Sequence, residues 1–503
     1  MAKSGERSMT DTTAGSGAAA GTAAKIPTAL IDMHCHVFKA SDLPATTFLY
    51  RVATERHSGD PDVTALLIGL IVSLLEGNAP TAAEELDDIR HGRPTKNAAA
   101  AVAAAMAGKA SGLLDWLKLF GNPRRDLVAR LASFYTNTQH HCELITPALV
   151  DYDTWLDNPE NDGRRLTDQV AVMGAIAKLP GKPRVHGYVG FDPIRAILAD
   201  HDFNPAGGTV REPIHPLKLV QEAVTEHGFL GVKLYPPMGF RAWNNGKGDI
   251  TFSSIVKKYV AVALNKPDNT IKDQDLGERI DAELEKLYRY CADQGVPILA
   301  HAYNSNQAED CTGWRASPQY WGEVIDKFST PEKPLRLCLG HFGSFSAHTK
   351  FPTCTDAFGA KAWEIIIGSI LASPKAPYVF ADVSYLSEVL DQSDGWQARR
   401  KAMRDQFKSF IAKNDPAAEH ICYGSDWIML GREAGHARYH VALGDFLRND
   451  VQLNAAQLNN IYFGNATRFL GLQPGDQNRE RLDKFYQNNN IQQHFPKIDP
   501  LVG

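Results

Sequence analysis

Six side chains carry the polar chemistry that asks for an explanation. They are His34 and His36 in "IDMHCHVF", Lys233 in "GVKLYPP", His301 in "PILAHAY", His341 in "LCLGHFG" and Asp426 in "YGSDW". Alternate side chains of a β-strand share a face, so Asp32, His34 and His36 lie together with the imidazoles roughly 6 to 7 Å apart along the chain. That spacing suits two imidazoles closing on one metal ion, although His-x-His also occurs on solvated strand ends and in loops. Each of the other four interrupts or ends an apolar run, which is costly for a polar group without a partner. Imidazole and carboxylate oxygen are ligands for Zn2+, Mn2+ or Fe2+, and no thiolate is aligned with them, which argues against a purely structural zinc site. One such residue reads as a satisfied core histidine; six aimed at one rim read as the inner shell of a site.

For these residues to meet, distant strand ends must converge. Short apolar runs recur at 28–36, 143–151, 184–191, 229–236, 296–302, 335–341, 377–384 and 420–426, alternating with helical stretches. Eight such runs fit a parallel sheet, and eight is the number that closes a (β/α)8 TIM barrel, whose functional residues sit at the carboxyl ends of strands. The expected fold is therefore α/β, a (β/α)8 barrel with a helical insertion between strands 1 and 2. Residues 278–293 place Ile280, Leu284, Leu287 and Cys291 at helical spacing, with Gly295 as a stop. Residues 454–472 read as two short helices broken at Gly464-Asn465.

The insertion spans 37–141 and holds the apolar run Val63 to Leu75, an Ala-rich tract at Ala98 to Ala107 and "LLDWLKLF" at 113–120. It leaves the carboxyl end of strand 1, so it either covers the barrel mouth and shapes the substrate pocket or serves as an oligomerisation arm. Residues 1–25, rich in Ala, Gly, Ser and Thr, are expected to be a disordered tail, 26–472 the barrel with its insertion, and 473–503 a C-terminal tail.

Composition narrows the partners. The net charge of −5 is small for 503 residues, with no basic stripe to suggest nucleic acid and no polybasic segment to suggest anionic membrane, so a small molecule or another protein, including a second copy of the chain, is the expected partner, and the apolar run Val63 to Leu75 reads as a buried or lid helix with membrane-surface contact as its alternative. The longest apolar run is too short to span a bilayer, and the first 25 residues lack the apolar core of a secretory signal. The seven cysteines are odd in number and scattered without Cys-x-x-Cys spacing, which points to thiols in a reducing, cytoplasmic compartment. Cys35 is expected to face away from the two histidines and pack.

With these residues in order, the sequence resembles the amidohydrolase superfamily, and within it the amidohydrolase-related branch that includes aminocarboxymuconate-semialdehyde decarboxylase-like enzymes. The resemblance rests on His34-x-His36, "TPALVDYD", "GYVGFDPIR", "GVKLYPPMGF", His301, His341, "YGSDW" and the closing "NATRFLGL", and it leaves the insertion and the tail after 472 outside. It implies that His34, His36, His301 and Asp426 are metal ligands and that His341 binds a second ion or acts as a polar catalytic group. Lys233 stays open: carboxylated and bridging two ions, as "KLYP" in the dihydroorotase version of that strand implies, or an ordinary amine that pairs with Asp426 or holds an acidic substrate. The implied cofactor is a divalent metal, one or two ions, with zinc as the leading candidate.

The implied activity is that of a metal-dependent hydrolase. A divalent ion with an open position lowers the pKa of water to about 7 and polarises a carbonyl; Asp426 then takes the proton of the attacking water and passes it on. An amide, lactone or ester of a small molecule would be cleaved. Non-oxidative decarboxylation of a small carboxylic acid is the competing reading, and a non-catalytic metal-binding scaffold the third. Tyr235, Arg241, Trp243, Asn304 and Trp427 follow strand ends closely and are the candidate substrate contacts, with surface pairing of Arg241 and rim packing of the aromatics as the alternatives. Asp382 is expected to orient a ligand histidine, and Asp192 to cap the helix that follows it.

Overall fold

The protein is described by a computed structural model over residues 29–54, 61–98, 112–136, 141–156, 166–202, 214–267, 270–305, 308–309, 311–345 and 362–491. The expected tail at 1–25 and most of the Ala-rich tract at 98–107 lie outside the described residues. The eight apolar runs form eight strand positions: β1 (Ala29–His36), β2 (His141–Ala148), β3 in two pieces (Arg184–Val185 and Tyr188–Gly190), β4 (Gly231–Leu234), β5 (Ile298–His301), β6 (Leu337–Gly340), β7 (Val379–Asp382) and β8 (Ile421–Cys422). Each runs parallel to its neighbour in sequence order. The last and first positions are joined by Met33 N donating to Tyr423 O at 3.2 Å and Asp426 N donating to His34 O at 2.7 Å. The sheet thus curls into an α/β barrel with helices around it.

Register explains which side chains face inward. Lys233 pairs with Leu299, Leu299 with Cys338, and Cys338 with Phe380. Leu299, Cys338 and Phe380 belong to a buried cluster with Met33, Leu144 and Cys422 that fills the barrel interior. Two residues further along, where the strands end, the same face presents His301, Gly340 and Asp382. Val232, Leu234 and Ala300, on the opposite face, pack into the larger core shared with the outer helices.

Between β1 and β2 the chain forms helices Ala45–Thr54, Pro61–Asn78, Ala82–His91, Gly112–Leu119 and Arg124–Ser133. The third is bounded as its sequence dictates: Thr81 and Glu84 form a capping box, and Gly92 ends it at φ 64°. Four buried charges root the insertion. Arg124 donates to Glu85 Oε1 at 2.6 Å and to both oxygens of Asp42, and Lys39 Nζ meets Glu85 Oε1 at 2.8 Å. At the other side Trp116 Nε1 donates to Ile428 O at 2.9 Å, tying the insertion to the loop after β8.

Three features depart from the sequence reading. Residues 455–469 run on as one helical stretch through Gly464, which sits at a right-handed φ of −60° and so does not stop it. A helix, Gln477–Asn488, occupies the expected C-terminal tail and buries Leu482, Phe485 and Tyr486, which are spaced i, i+3, i+4. Cys35, Cys142, Cys291, Cys338 and Cys422 are buried thiols, but Cys311 is disulfide-bonded, against the expectation of thiols throughout. Among the described residues no helix is long and apolar enough to cross a membrane.

Candidate metal centre

The strand ends bring the polar side chains together. His34, wholly buried, donates from Nδ1 to Asp382 Oδ2 at 2.8 Å, which leaves the Nε2 lone pair facing inward. His36 donates from Nδ1 to Ala148 O at 3.0 Å and likewise turns Nε2 inward, 3.3 Å from Asp426 Oδ1. These tautomers follow from the partners, since a carbonyl can only accept. His34 Nε2, His36 Nε2 and an Asp426 oxygen form a group whose ligand atoms lie within 4.8 Å of one another. The His36 ring and the Asp426 carboxylate thus stand 3.3 Å apart, close enough to share one hydrogen bond or one cation.

Asp426 and His341 reach the site because the backbone turns sharply where β8 and β6 end. Both take a left-handed φ, 53° and 67°, a conformation costly for residues with a Cβ. Each is held by its own amide: Asp426 N on His34 O, and His341 N on Asp382 Oδ1 at 3.0 Å. Glycine is required beside His34. A Cβ on Gly340 would come within 2.9 Å of the His34 ring, and one on Gly424 within 2.7 Å of His34 Cβ.

The remaining candidates join through short contacts. His341 Nε2 lies 3.1 Å from His301 Nδ1, and His301 Nε2 lies 3.2 Å from Ser305 Oγ. Lys233 Nζ lies 3.0 Å from His34 Nε2. Ser384, absent from the sequence reading, sets its Oγ 3.0 Å from the Nδ1 atoms of both His34 and His341 and bonds to Asp382.

Burial and charge fix the ionisation. Burial, with Lys233 alongside, drives His34 down to about 4, and burial also lowers His301 and His341. Lys233 is brought down to about 8 by burial. Burial works to raise Asp426, but His36 beside it, with His341 and His34, holds its carboxyl below the usual range. Asp382 is likewise held low against burial, by His34. Neutral His34, His301 and His341 facing ionised carboxylates are what a divalent cation needs, and the donor set suits zinc, manganese or iron.

Two small cavities flank this cluster. One, with clear space for about one water molecule, is lined by His36, His301, His341 and Asp426 together with Phe38, Phe48, Tyr152, Tyr235 and Met429. The other, no larger, is lined by Lys233, Asp151, Asp192 and a largely aromatic wall that shares Tyr152 and Tyr235 with the first. Tyr235 is the one sequence-proposed substrate contact on these linings. Arg241 is buried elsewhere, paired with Asp249 Oδ1 at 2.7 Å and lying over the Tyr320 ring. Trp243 packs on Phe328 beneath Lys327 Nζ. Asn304 is half-buried beside Ser305. Trp427 is buried with its ring edge-on to Phe134, and its carbonyl accepts from His36 N. Tyr152 and Phe48 went unremarked in sequence, the first within "LVDYD" and the second inside the insertion. Asp192 caps helix Pro193–Ala199, accepting from Ile194 N.

Residues 196–472, just over half of the chain, match the amidohydrolase family. The chain belongs to the amidohydrolase family. The matched span contains Lys233, His301, His341 and Asp426, while His34 and His36 precede it. Among solved structures, an amidohydrolase from Burkholderia multivorans with bound HEPES is 11% identical over 74% of this chain and 94% of its own, at a TM-score of 0.40. An amidohydrolase from the same organism with bound zinc is 12% identical over 74% and 94%, at 0.38. The 5-carboxyvanillate decarboxylase of Novosphingobium aromaticivorans, complexed with manganese, is 12% identical over 77% and 92%, at 0.39. No curated protein matches this amidohydrolase chain.

Proposed function

We propose that this amidohydrolase is a metal-dependent hydrolase that cleaves an amide, lactone or ester bond of a small molecule. The observation that carries the reading is the convergence of His34 Nε2, His36 Nε2 and the Asp426 carboxylate, with the outer nitrogens of both imidazoles already engaged. His34, His36 and Asp426 would hold a divalent ion, with His301 beside them. His341 would serve a second ion or donate to developing negative charge. Lys233 would be the carboxylated bridge in a two-ion form and a plain amine in a one-ion form.

A bound divalent ion supplies Lewis acidity, acidifying water and polarising the scissile carbonyl. The chain's own residues do the rest. Asp426, ionised and within the group, accepts a proton at its carboxylate as water attacks and returns it to the leaving atom. Asp382 and Ser384 keep His34 and His341 turned correctly.

Hydrolysis is preferred because, among the described residues, no lysine or arginine lines the cavity that holds Asp426 and His301. The clamp that a carboxylate substrate would want is missing there, and Arg241 is committed to Asp249. Decarboxylation keeps a foothold through Lys233, whose ammonium lines the adjoining cavity. The test is to load the protein with zinc or manganese, count ions per chain, and offer amides, lactones, esters and aryl carboxylic acids. Release of a new carboxylic acid or alcohol supports hydrolysis. Release of CO2 supports the second reading, and full metal with no turnover of any class supports a scaffold. Two ions per chain would support carboxylated Lys233; one would support the amine.

A further inference from the structure

We propose that Asp32 is a positioning residue for the metal centre: its buried carboxylate grips the turn after β8 and so aims Asp426 at the two imidazoles. The proposal rests on the metal-dependent reading above and goes beyond it, because Asp32 is not itself among the ligands.

The barrel is thinnest where Asp426 leaves it. β8 has only two residues, and among the described residues it pairs as a strand with β7 alone. The seam back to β1 is made by single backbone bonds: Met33 N to Tyr423 O, Asp426 N to His34 O, and His36 N to Trp427 O. Ser425 N takes part in none of these. It donates to Asp32 Oδ1 at 2.9 Å, so a side chain supplies the rung that the backbone does not.

The grip is double. Ser425 Oγ donates to Asp32 Oδ2 at 2.7 Å, and the same Oγ accepts from Trp427 N at 3.1 Å. The residues on both sides of Asp426 are thus tied, directly or through one hydroxyl, to a single carboxylate. Asp426 needs that support, since its φ of 53° is sustained only by what surrounds it. The backbone N–H of His34 also faces Asp32. One wholly buried group therefore sets the spacing between a ligand on β1 and a ligand after β8.

Strand alternation puts Asp32 on the face of His34 and His36, but the pairing of β1 with β2 slips between Asp32 and Cys35. The Asp32 carboxylate goes to Ser425 and to Tyr135, whose hydroxyl donates to Oδ2 at 2.9 Å. Tyr135 follows helix Arg124–Ser133, which begins in the buried charge cluster that roots the insertion. The insertion thereby reaches the turn that carries Asp426.

The test follows cobalt(II) binding to the full chain in wild type, Asp32→Asn and Tyr135→Phe, by titration and by the visible absorption of the bound ion, which reports ligand geometry. Asn keeps the volume but replaces one acceptor with a donor, so Ser425 N, Ser425 Oγ and Tyr135 OH no longer all find an acceptor. We expect Asp32→Asn to bind cobalt about ten- to a hundredfold more weakly and to change the intensity of its absorption. Tyr135→Phe, which removes one of these donors, should shift both less. Folded variants that hold cobalt with wild-type affinity and spectrum would overturn the proposal and leave Asp32 a group that stabilises the fold alone. If Asp32→Asn does not fold, the Tyr135→Phe spectrum decides: a change supports the proposal and an unaltered band overturns it. A wild type that takes up no cobalt would overturn the metal reading itself, and the positioning role with it.

Discussion

The charges that root the insertion and the side chains of the metal centre are buried to the same degree, yet only the first set is complete in itself. Lys39 and Arg124 oppose Asp42 and Glu85, two charges of each sign, and the Arg124 guanidinium engages both carboxylates. In the candidate metal centre Lys233 Nζ reaches His34 Nε2 at 3.0 Å, but two ionised carboxylates, Asp426 and Asp382, share that one ammonium. Burial of an ion pair is close to neutral for stability when every charge is matched, whereas an unmatched cluster costs free energy until something positive enters it. The first arrangement holds a segment in place; the second is poised to bind.

Four measurements press on that contrast. If Asp426 has the proposed roles of ligand and proton acceptor, Asp426→Asn should lower turnover at least about a thousandfold, while metal-free stability in urea stays near wild type or rises. A comparable loss of stability would erase the distinction between the two clusters. Arg124→Met should cost about 3 to 5 kcal/mol, because it strands Asp42 as a buried charge without its guanidinium and leaves Glu85 to Lys39 alone. A urea unfolding curve showing a change below about 1 kcal/mol would mean that the cluster is not the anchor of the insertion.

Ser384→Ala sharpens the comparison at smaller amplitude. It removes a hydroxyl that touches both His34 and His341 but carries no charge. Metal affinity should fall about ten- to a hundredfold with little change in apo stability, and competition with a fluorescent chelator reads this directly. Unaltered affinity would mean that Asp382 alone sets the imidazoles.

The smallest effect concerns a third buried carboxylate. Asp192 accepts from Trp155 Nε1 at 3.0 Å and from Ile194 N. Burial, with Asp151 alongside, pushes its carboxyl up to about 6. The native state then holds this proton more tightly than the unfolded chain does, so stability falls as pH rises from about 4 to about 6. Asp192→Asn keeps the cap and should remove that slope. Parallel stability profiles for the two proteins over this range would contradict it.

Much of the barrel could be read from sequence because inward and outward side chains alternate on runs bounded by turns, and polar residues at the ends of such runs stand out. His34, His36, Lys233, His301, His341 and Asp426 were all visible in this way. Ser384 and Tyr152 were not, because their side chains are positioned by loop geometry rather than periodicity; only their places two residues after Asp382 and four after Ala148 hinted at them. Proximity in sequence also misdirects. Arg241 follows β4 within seven residues, but the backbone turns there, with Asn245 Oδ1 accepting from Arg241 N at 2.7 Å, and the guanidinium is carried toward Asp249. Helix Gln477–Asn488 was overlooked because nine of its twelve residues are polar or charged, and only three apolar or aromatic side chains, Leu482, Phe485 and Tyr486, mark its buried stripe.

Gly340 and Gly424 have a consequence for redesign. With bare backbone beside its ring at Gly340 and beside its Cβ at Gly424, the His34 side chain has little room to follow an ion of larger or smaller radius. Any retuning of metal preference must therefore be sought across the centre, at the slightly more open His36 and Asp426 edge, and a mutagenesis scheme that randomised the two glycines would mostly yield proteins with a displaced imidazole.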